Sequence, residues 1–213
     1  VFGQNVHIVR EQLGRQLARE SGVDADCIIP MPDSGRSAAL GYAKESGLQF
    51  EEGIVPNRFV GRTFIMPTQI ARDKAVSMKL NIVEEIVKDR RIVVVDDSVV
   101  RGTTTRSKMR ALRRAGAKEI HLRISCPPIR HPCFYGIDFA TSSELVAHNR
   151  TVDQIREFIE VDSLSYLSLE GMLACFKVPE KDCCTACWSG HYKIPIDQQT
   201  TKFSFERDQL KMF

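Results

Sequence analysis

The sequence contains no run of about 18 consecutive apolar residues, so nothing in it reads as a membrane-spanning helix. Strong charge of either sign is missing too. Thirty Lys and Arg against 27 Asp and Glu leave +3, too mild to argue for a nucleic-acid partner. Neither G-x-x-x-x-G-K-[S/T] nor G-x-G-x-x-G occurs, which excludes a nucleoside-triphosphate P-loop and a dinucleotide fingerprint. Internal repeats and low-complexity segments are absent, and 43% hydrophobic residues exclude wholesale disorder. No charged n-region and apolar h-region open the chain, so no signal peptide is expected. The start at Val1, without an initiator Met, reads as the remainder of a longer polypeptide.

Cysteine is what the chain has in excess. There are seven, an odd number, and three of them crowd into residues 183–187. Without a secretion signal, that pattern favours free thiols or a metal over a disulfide framework. The 213 residues suffice for one core-bearing domain with an appendage.

Hydrophobic periodicity gives the fold class. Val6, Val9, Leu13 and Leu17 recur at helical spacing, which predicts a helix over residues 5–21 stopped by Gly22. Residues 27–30 read as a short apolar strand, 36–46 as a helix closed by Gly47, and 48–55 as a strand. A polar, basic stretch over 56–76 has no firm period. Its length predicts a functional loop. Then come a helix at 81–88, a strand "RIVVVDD", and a helix carrying Met109, Leu112 and Ala115 on one face. A strand over 119–126, a helix over 151–160 and a further helix over 164–176 follow, and the pattern dissolves after Pro179. Strands alternating with helices predict an α/β domain with a mostly parallel sheet.

Chemistry concentrates where Ile92, Val93, Val94 and Val95 run into Asp96 and Asp97, followed by "SVVRGTT" and a helix. Ligands of open α/β sheets bind beyond the C-terminal strand ends. A glycine- and hydroxyl-bearing loop entering a helix presents main-chain N–H groups and partial positive charge, a site for phosphate. Two adjacent carboxylates repel phosphate unless they hold sugar hydroxyls or a hard cation such as Mg²⁺. The same pair also occurs in receiver domains and as plain helix caps.

"IVVVDDSVVRGTT" resembles the phosphoribosylpyrophosphate (PRPP) motif of type I phosphoribosyltransferases. "MPDSGRSAALGYA", "NRFVGRTFI", "HPCFYGID" and "SLEGM" extend the resemblance to amidophosphoribosyltransferases, the glutamine-dependent enzymes opening purine synthesis. The resemblance implies a type I phosphoribosyltransferase fold over residues 1–165 and a Cys-rich tail over 166–213, with an N-terminal glutaminase domain outside this chain. Asp96 and Asp97 match the acidic pair for ribose hydroxyls and magnesium, joined by Ser34. Val99, Val100, Arg101, Gly102, Thr103 and Thr104 match the loop around the 5-phosphate. Residues 57–78 match the family's closing loop, with Arg58 and Arg62 as pyrophosphate contacts; Pro56 stands where a Lys is expected. Partners implied are PRPP, ammonia drawn from glutamine, purine nucleotides as feedback inhibitors and further copies of the chain, in the cytoplasm, with no nucleic acid and no membrane.

Cys184 and Cys187 have the C-x-x-C spacing that grips one metal or cluster, with Cys133 a distant third thiol. Zinc, an iron–sulfur cluster, a redox pair and unremarkable thiols all suit that spacing by itself. The family resemblance implies a [4Fe–4S] cluster on Cys133, Cys184 and Cys187, with its fourth Cys upstream of Val1. Cys183 is an alternative fourth ligand, disfavoured by its adjacency to Cys184. Cys27, Cys126 and Cys175 read as core thiols. His7, His121, His148 and His191 lack metal spacing and read as surface or structural, while Trp188 and Tyr192 read as packing the tail. The arginines of 106–114 read as a solvated helix face, with a nucleotide-inhibitor site as the alternative. A PRPP-sensing, DNA-binding regulator and a receiver-like module are the competing functional classes.

Overall fold

The computed structural model describes residues 3–57, 80–137 and 141–195. The chain enters through α1 (Val6–Ser21), whose N-cap Asn5 accepts from the His7 and Ile8 N–H groups. β1 (Cys27–Pro30), α2 (Arg36–Ser46) and β2 (Gln49–Phe50) follow. β3 (Ile54–Pro56) pairs antiparallel with β4 (Leu80–Ile82), and one helical turn, α3 (Glu84–Val87), leads on. Next come β5 (Arg91–Asp96), α4 (Thr103–Arg114) and β6 (Glu119–Ile124). The chain continues with α5 (Val152–Ile159), β7 (Ser163–Tyr166), α6 (Leu169–Ala174) and the one-turn α7 (Ala186–Ser189).

Strands β2-β1-β5-β6-β7 form one parallel sheet in that order. Both faces are covered, which is why β1 and the body of β5 are continuous apolar runs rather than alternating. Ile92 and Val94 pack with Met109, Leu112, Ile155 and Ile159 on one face. Val93 and Val95 pack with Leu17, Ala38, Ala39, Tyr42 and Met172 on the other. So α2, after β1, and α4, after β5, leave toward opposite faces. β1 and β5 are neighbours, and the strand order reverses between them. That is the crevice where an open α/β sheet binds its ligand.

Helices α1 and α2 meet backbone to backbone. A Cβ on Gly14 would lie 1.8 Å from the Ala38 carbonyl oxygen, and one on Gly41 would lie 1.9 Å from that of Glu11. Only glycine fits at either crossing point. Val6, expected on the buried stripe, is 43% exposed, because the face is set by Val9, Gly14, Leu17 and Ala18 instead.

Three sequence expectations change. The strand over 48–55 is two pieces, Gln49–Phe50 on the sheet edge and Ile54–Pro56 in the separate ladder. The helix over 81–88 shrinks to Glu84–Val87, because residues up to Ile82 are used by the ladder. The helix over 164–176 divides into strand Ser163–Tyr166 and helix Leu169–Ala174. That edge strand buries only Leu164, too little apolar pattern to read.

A polar cluster lies on the α1 side of the sheet. Buried Arg123 donates through Nε to the Ser21 carbonyl (2.8 Å) and through Nη1 to Ser163 Oγ (2.9 Å). The Tyr42 hydroxyl shares the Ser21 carbonyl at 2.9 Å. His121 Nδ1 meets Ser163 Oγ at 2.9 Å, and Nε2 faces Glu119 at 3.2 Å. Burial first, then the Arg123 charge, hold the His121 pKa below its ordinary value. The unfolded chain therefore takes up this proton first, near about pH 6.5. Stability from His121 is complete above that pH and declines as pH falls below it. Thermal melts should show Tm dropping between about pH 7.5 and 5.5, with a shallower slope in His121→Gln. Equal slopes in the two proteins would assign the acid sensitivity elsewhere.

Candidate active site

β1 and β5 deliver their functional residues to the same end of the sheet. Met31 N–H bonds the Val95 carbonyl at 2.8 Å, which turns the "PDSG" loop across the end of β5. The Pro32–Asp33 peptide is cis. Gly35 closes the turn against β5; a Cβ there would lie 2.3 Å from the Val95 carbonyl oxygen. Ser34 is thereby held over Asp96, and its hydroxyl donates to Asp96 Oδ1 at 3.3 Å. The Asp97 N–H donates to the same oxygen at 2.8 Å. Beneath, the Asp96 carbonyl accepts from the Ser125 N–H (3.0 Å) and hydroxyl (3.3 Å) at the end of β6.

Asp96 is 6% exposed. Burial, followed by the neighbouring Asp97 carboxylate, pushes its pKa up to about 7; the Lys108 charge opposes this. A buried carboxylate with a second one beside it is costly unless a cation joins the pair. The donor set of two carboxylates and a hydroxyl is the oxygen-only kind that hard divalent cations take.

The loop after the pair enters α4 with no side-chain cap on that helix. Thr103 and Thr104 are exposed at its first turn, and Gly102 occupies the left-handed region at φ +75°. These uncapped N–H groups and hydroxyls suit an anion. Val99 is 1% exposed within the core, so it offers a ligand only its main chain. Val100 accepts the Val146 N–H at 2.8 Å, and Arg101 pairs with Glu144 at 3.0 Å. Arg58 and Arg62 lie outside the described residues. The β3–β4 ladder sets Pro56 opposite Leu80, which brings the two ends of that stretch together.

The thiols gather at another place. Arg130 and His131 N–H groups both reach the Cys187 carbonyl at 3.0 Å. The Tyr192 hydroxyl bonds the Pro132 carbonyl at 2.7 Å, and its ring meets Phe134 edge-on. Burial, then the nearby Cys133 and Cys184 sulfurs, push the Cys187 thiol up to about 11. Cys183 is 8% exposed while Cys184 points to solvent, so the adjacent side chains diverge. Among the described residues no group of three His, Cys, Asp or Glu is drawn in around a single metal ion. Cys27 is buried in the core; Cys126, half-buried, packs on both faces' clusters. Of the four α4 arginines, Arg106 and Arg110 pair with Glu160 and Arg113 pairs with Asp162.

Residues 42–133 match the model of the phosphoribosyl transferase domain. The amidophosphoribosyltransferase of Methanothermobacter thermautotrophicus is 47% identical over 207 residues, covering 97% of this chain and 44% of that protein. That of Bacillus subtilis is 50% identical over 204 residues, covering 94% of this chain and 43% of that protein. Over nearly its whole length the chain is similar to amidophosphoribosyltransferases. A solved glutamine PRPP amidotransferase from B. subtilis, complexed with ADP and GMP, matches this fold with a TM-score of 0.85 at 49% identity. It covers 93% of this chain and 45% of that one. The expected type I phosphoribosyltransferase fold is therefore the observed one. The chain spans less than half the length of the curated amidophosphoribosyltransferases it matches. Sequence reasoning assigned no role to Ser125, Arg130, Glu144 and Val146, which hold the loops from behind.

Proposed function

We propose that this protein carries out the phosphoribosyl-transfer half of an amidophosphoribosyltransferase: ammonia and PRPP give 5-phosphoribosylamine and pyrophosphate. The observation that carries the reading is the meeting of Ser34, Asp96 and Asp97 with the uncapped start of α4 at the β1/β5 crevice. In the intact enzyme the ammonia comes from glutamine, as the name of the B. subtilis neighbour indicates for that protein.

Each part of PRPP has a counterpart. Thr103, Thr104 and the N–H groups of α4 hold the 5-phosphate. Asp96 and Asp97 accept the ribose hydroxyls and, with Ser34, fit a magnesium ion. Bound there, magnesium would offset negative charge on the departing pyrophosphate. Ammonia's lone pair forms the new C1–N bond while the C1–O bond to pyrophosphate breaks, its electron pair leaving with the pyrophosphate oxygen. The sugar carries oxocarbenium-like charge in between, and the buried Asp96 carboxylate below it favours that charge. The attacking ammonium nitrogen then sheds a proton to solvent. Arg58 and Arg62 supply cations to the pyrophosphate, and residues 57–78 exclude competing water.

Residues 166–213 form the cluster-binding tail of this reading, following a transferase domain over 1–165. Cys133, Cys184 and Cys187 suit a [4Fe–4S] cluster, which takes one thiolate per iron. A single zinc needs its sulfurs about 4 Å apart around one centre, given Zn–S bonds of about 2.3 Å. Purine nucleotides act as inhibitors and the enzyme assembles from like subunits, in the cytoplasm.

The test is direct. With ammonium as nitrogen donor, pyrophosphate release should require both PRPP and magnesium and should yield phosphoribosylamine. Tight PRPP binding without any release would instead make the protein a PRPP sensor.

A further inference from the structure

Between the two sites runs a short segment that the reaction leaves unused. Residues 144–148 touch the phosphate loop at three points. The Val146 N–H bonds the Val100 carbonyl at 2.8 Å, and Glu144 pairs with Arg101 at 3.0 Å. The third is steric: a Cβ on Gly102 would lie 3.3 Å from Val146 Cγ2. The same segment grips the thiol-bearing region from its other side. Arg130 Nη1 donates to the Ala147 carbonyl at 3.0 Å, and His148 Nδ1–H donates to the Arg130 carbonyl at 2.8 Å. The Arg130 and His131 N–H groups end on the Cys187 carbonyl at 3.0 Å each.

This path is stiff. Leu145, Val146 and Ala147 are buried at 2% exposure or less, so the segment cannot yield locally to a shift at either end. Gly190 adds a stop on the tail side, because a Cβ there would meet the His131 ring at 3.0 Å. Every link from Cys187 to Val100 is a hydrogen bond or a packed main chain.

We propose that Arg130 is a positioning residue, the pin of a brace over residues 144–148 that ties helix α7 to the loop holding the 5-phosphate. The placement of α7 then sets affinity for a sugar phosphate, and a sugar phosphate in turn shifts the environment of α7. Linkage makes the two effects equal in size. The proposal rests on the phosphate-loop reading above.

Trp188, the single tryptophan of the chain, sits on α7 directly after Cys187 and reports on that helix. Ribose 5-phosphate is the probe, because it occupies the phosphate loop without turnover. In the wild-type protein, calorimetry should show saturable binding, and Trp188 emission should shift with the same midpoint. Arg130→Met should bind ribose 5-phosphate about fivefold more weakly or worse and lose the emission shift. Arg130→Lys, which restores a cationic donor toward the Ala147 carbonyl, should recover part of both. Circular dichroism identifies any variant that does not fold; in that case His148→Ala, which removes the contact to the Arg130 carbonyl and the edge-on contact with the His131 ring, is read by the same two signals. A folded Arg130→Met or His148→Ala protein that binds with wild-type affinity overturns the brace and leaves the phosphate loop intact. No binding to wild type overturns both.

Discussion

Asp97→Ala should reduce magnesium-dependent pyrophosphate release by at least about 10²–10³-fold, the scale lost when one transition-state electrostatic contact is removed. The fold should survive. Asp97 contributes its main-chain N–H to Asp96 Oδ1, and alanine keeps that bond. Its carboxylate is one of the two causes of the upward push on Asp96, so removing it relieves repulsion within the pair. Stability should therefore hold steady or rise while activity falls, a combination that general damage does not produce. Ser34→Ala should act in the same direction but less, since it removes one neutral hydroxyl from the set. Pyrophosphate release measured with saturating ammonium, alongside thermal melts, checks both variants. Near-normal turnover in Asp97→Ala would remove the acidic pair from the mechanism.

The candidate site was legible in the sequence because its signal is local. Four apolar residues, two aspartates and a Gly/Thr loop entering a helix occupy one continuous stretch, and the strand–helix alternation puts that stretch at a sheet end. The partner loop was harder. Nothing in "PDSG" alone says that Ser34 reaches Asp96; the β1–β5 pairing makes them neighbours. Short elements with little buried surface escaped the reading. β7 buries only Leu164, and its Ser163 and Tyr166 carry no period a helix could not also explain. Gly14 and Gly41 lie inside the expected helices and carry no sequence sign that both are points of helix contact. The bracing residues were invisible for a further reason. Val146 acts through its main-chain N–H, and the Arg130 side chain ends on a main-chain carbonyl, a kind of partner that carries no sequence signature.

Cysteine count alone could not separate a cluster from idle thiols, but the placement of the seven sulfurs sharpens what substitution should do. Cys187 lies within electrostatic reach of Cys133 and Cys184, whereas Cys175 lies elsewhere, its thiol bonded to the Gly171 carbonyl at 3.2 Å. Cys187→Ser should therefore abolish bound iron and sulfide and the brown absorbance of anaerobically purified protein, while Cys175→Ser leaves them unchanged. Cys183→Ser should also leave iron in place, because that side chain is turned inward, away from Cys184. The consequences should not stop at the metal. In Cys187→Ser the carbonyl that anchors Arg130 and His131 remains, but the α7 turn loses what fixes its side-chain end, and its hydrogen-exchange protection should fall. Iron and sulfide analysis together with exchange at Cys187 and Trp188 checks this. Stoichiometric zinc without iron in the wild-type protein would replace the cluster by a single-ion site. Iron retained in Cys187→Ser would remove this thiol from the ligand set.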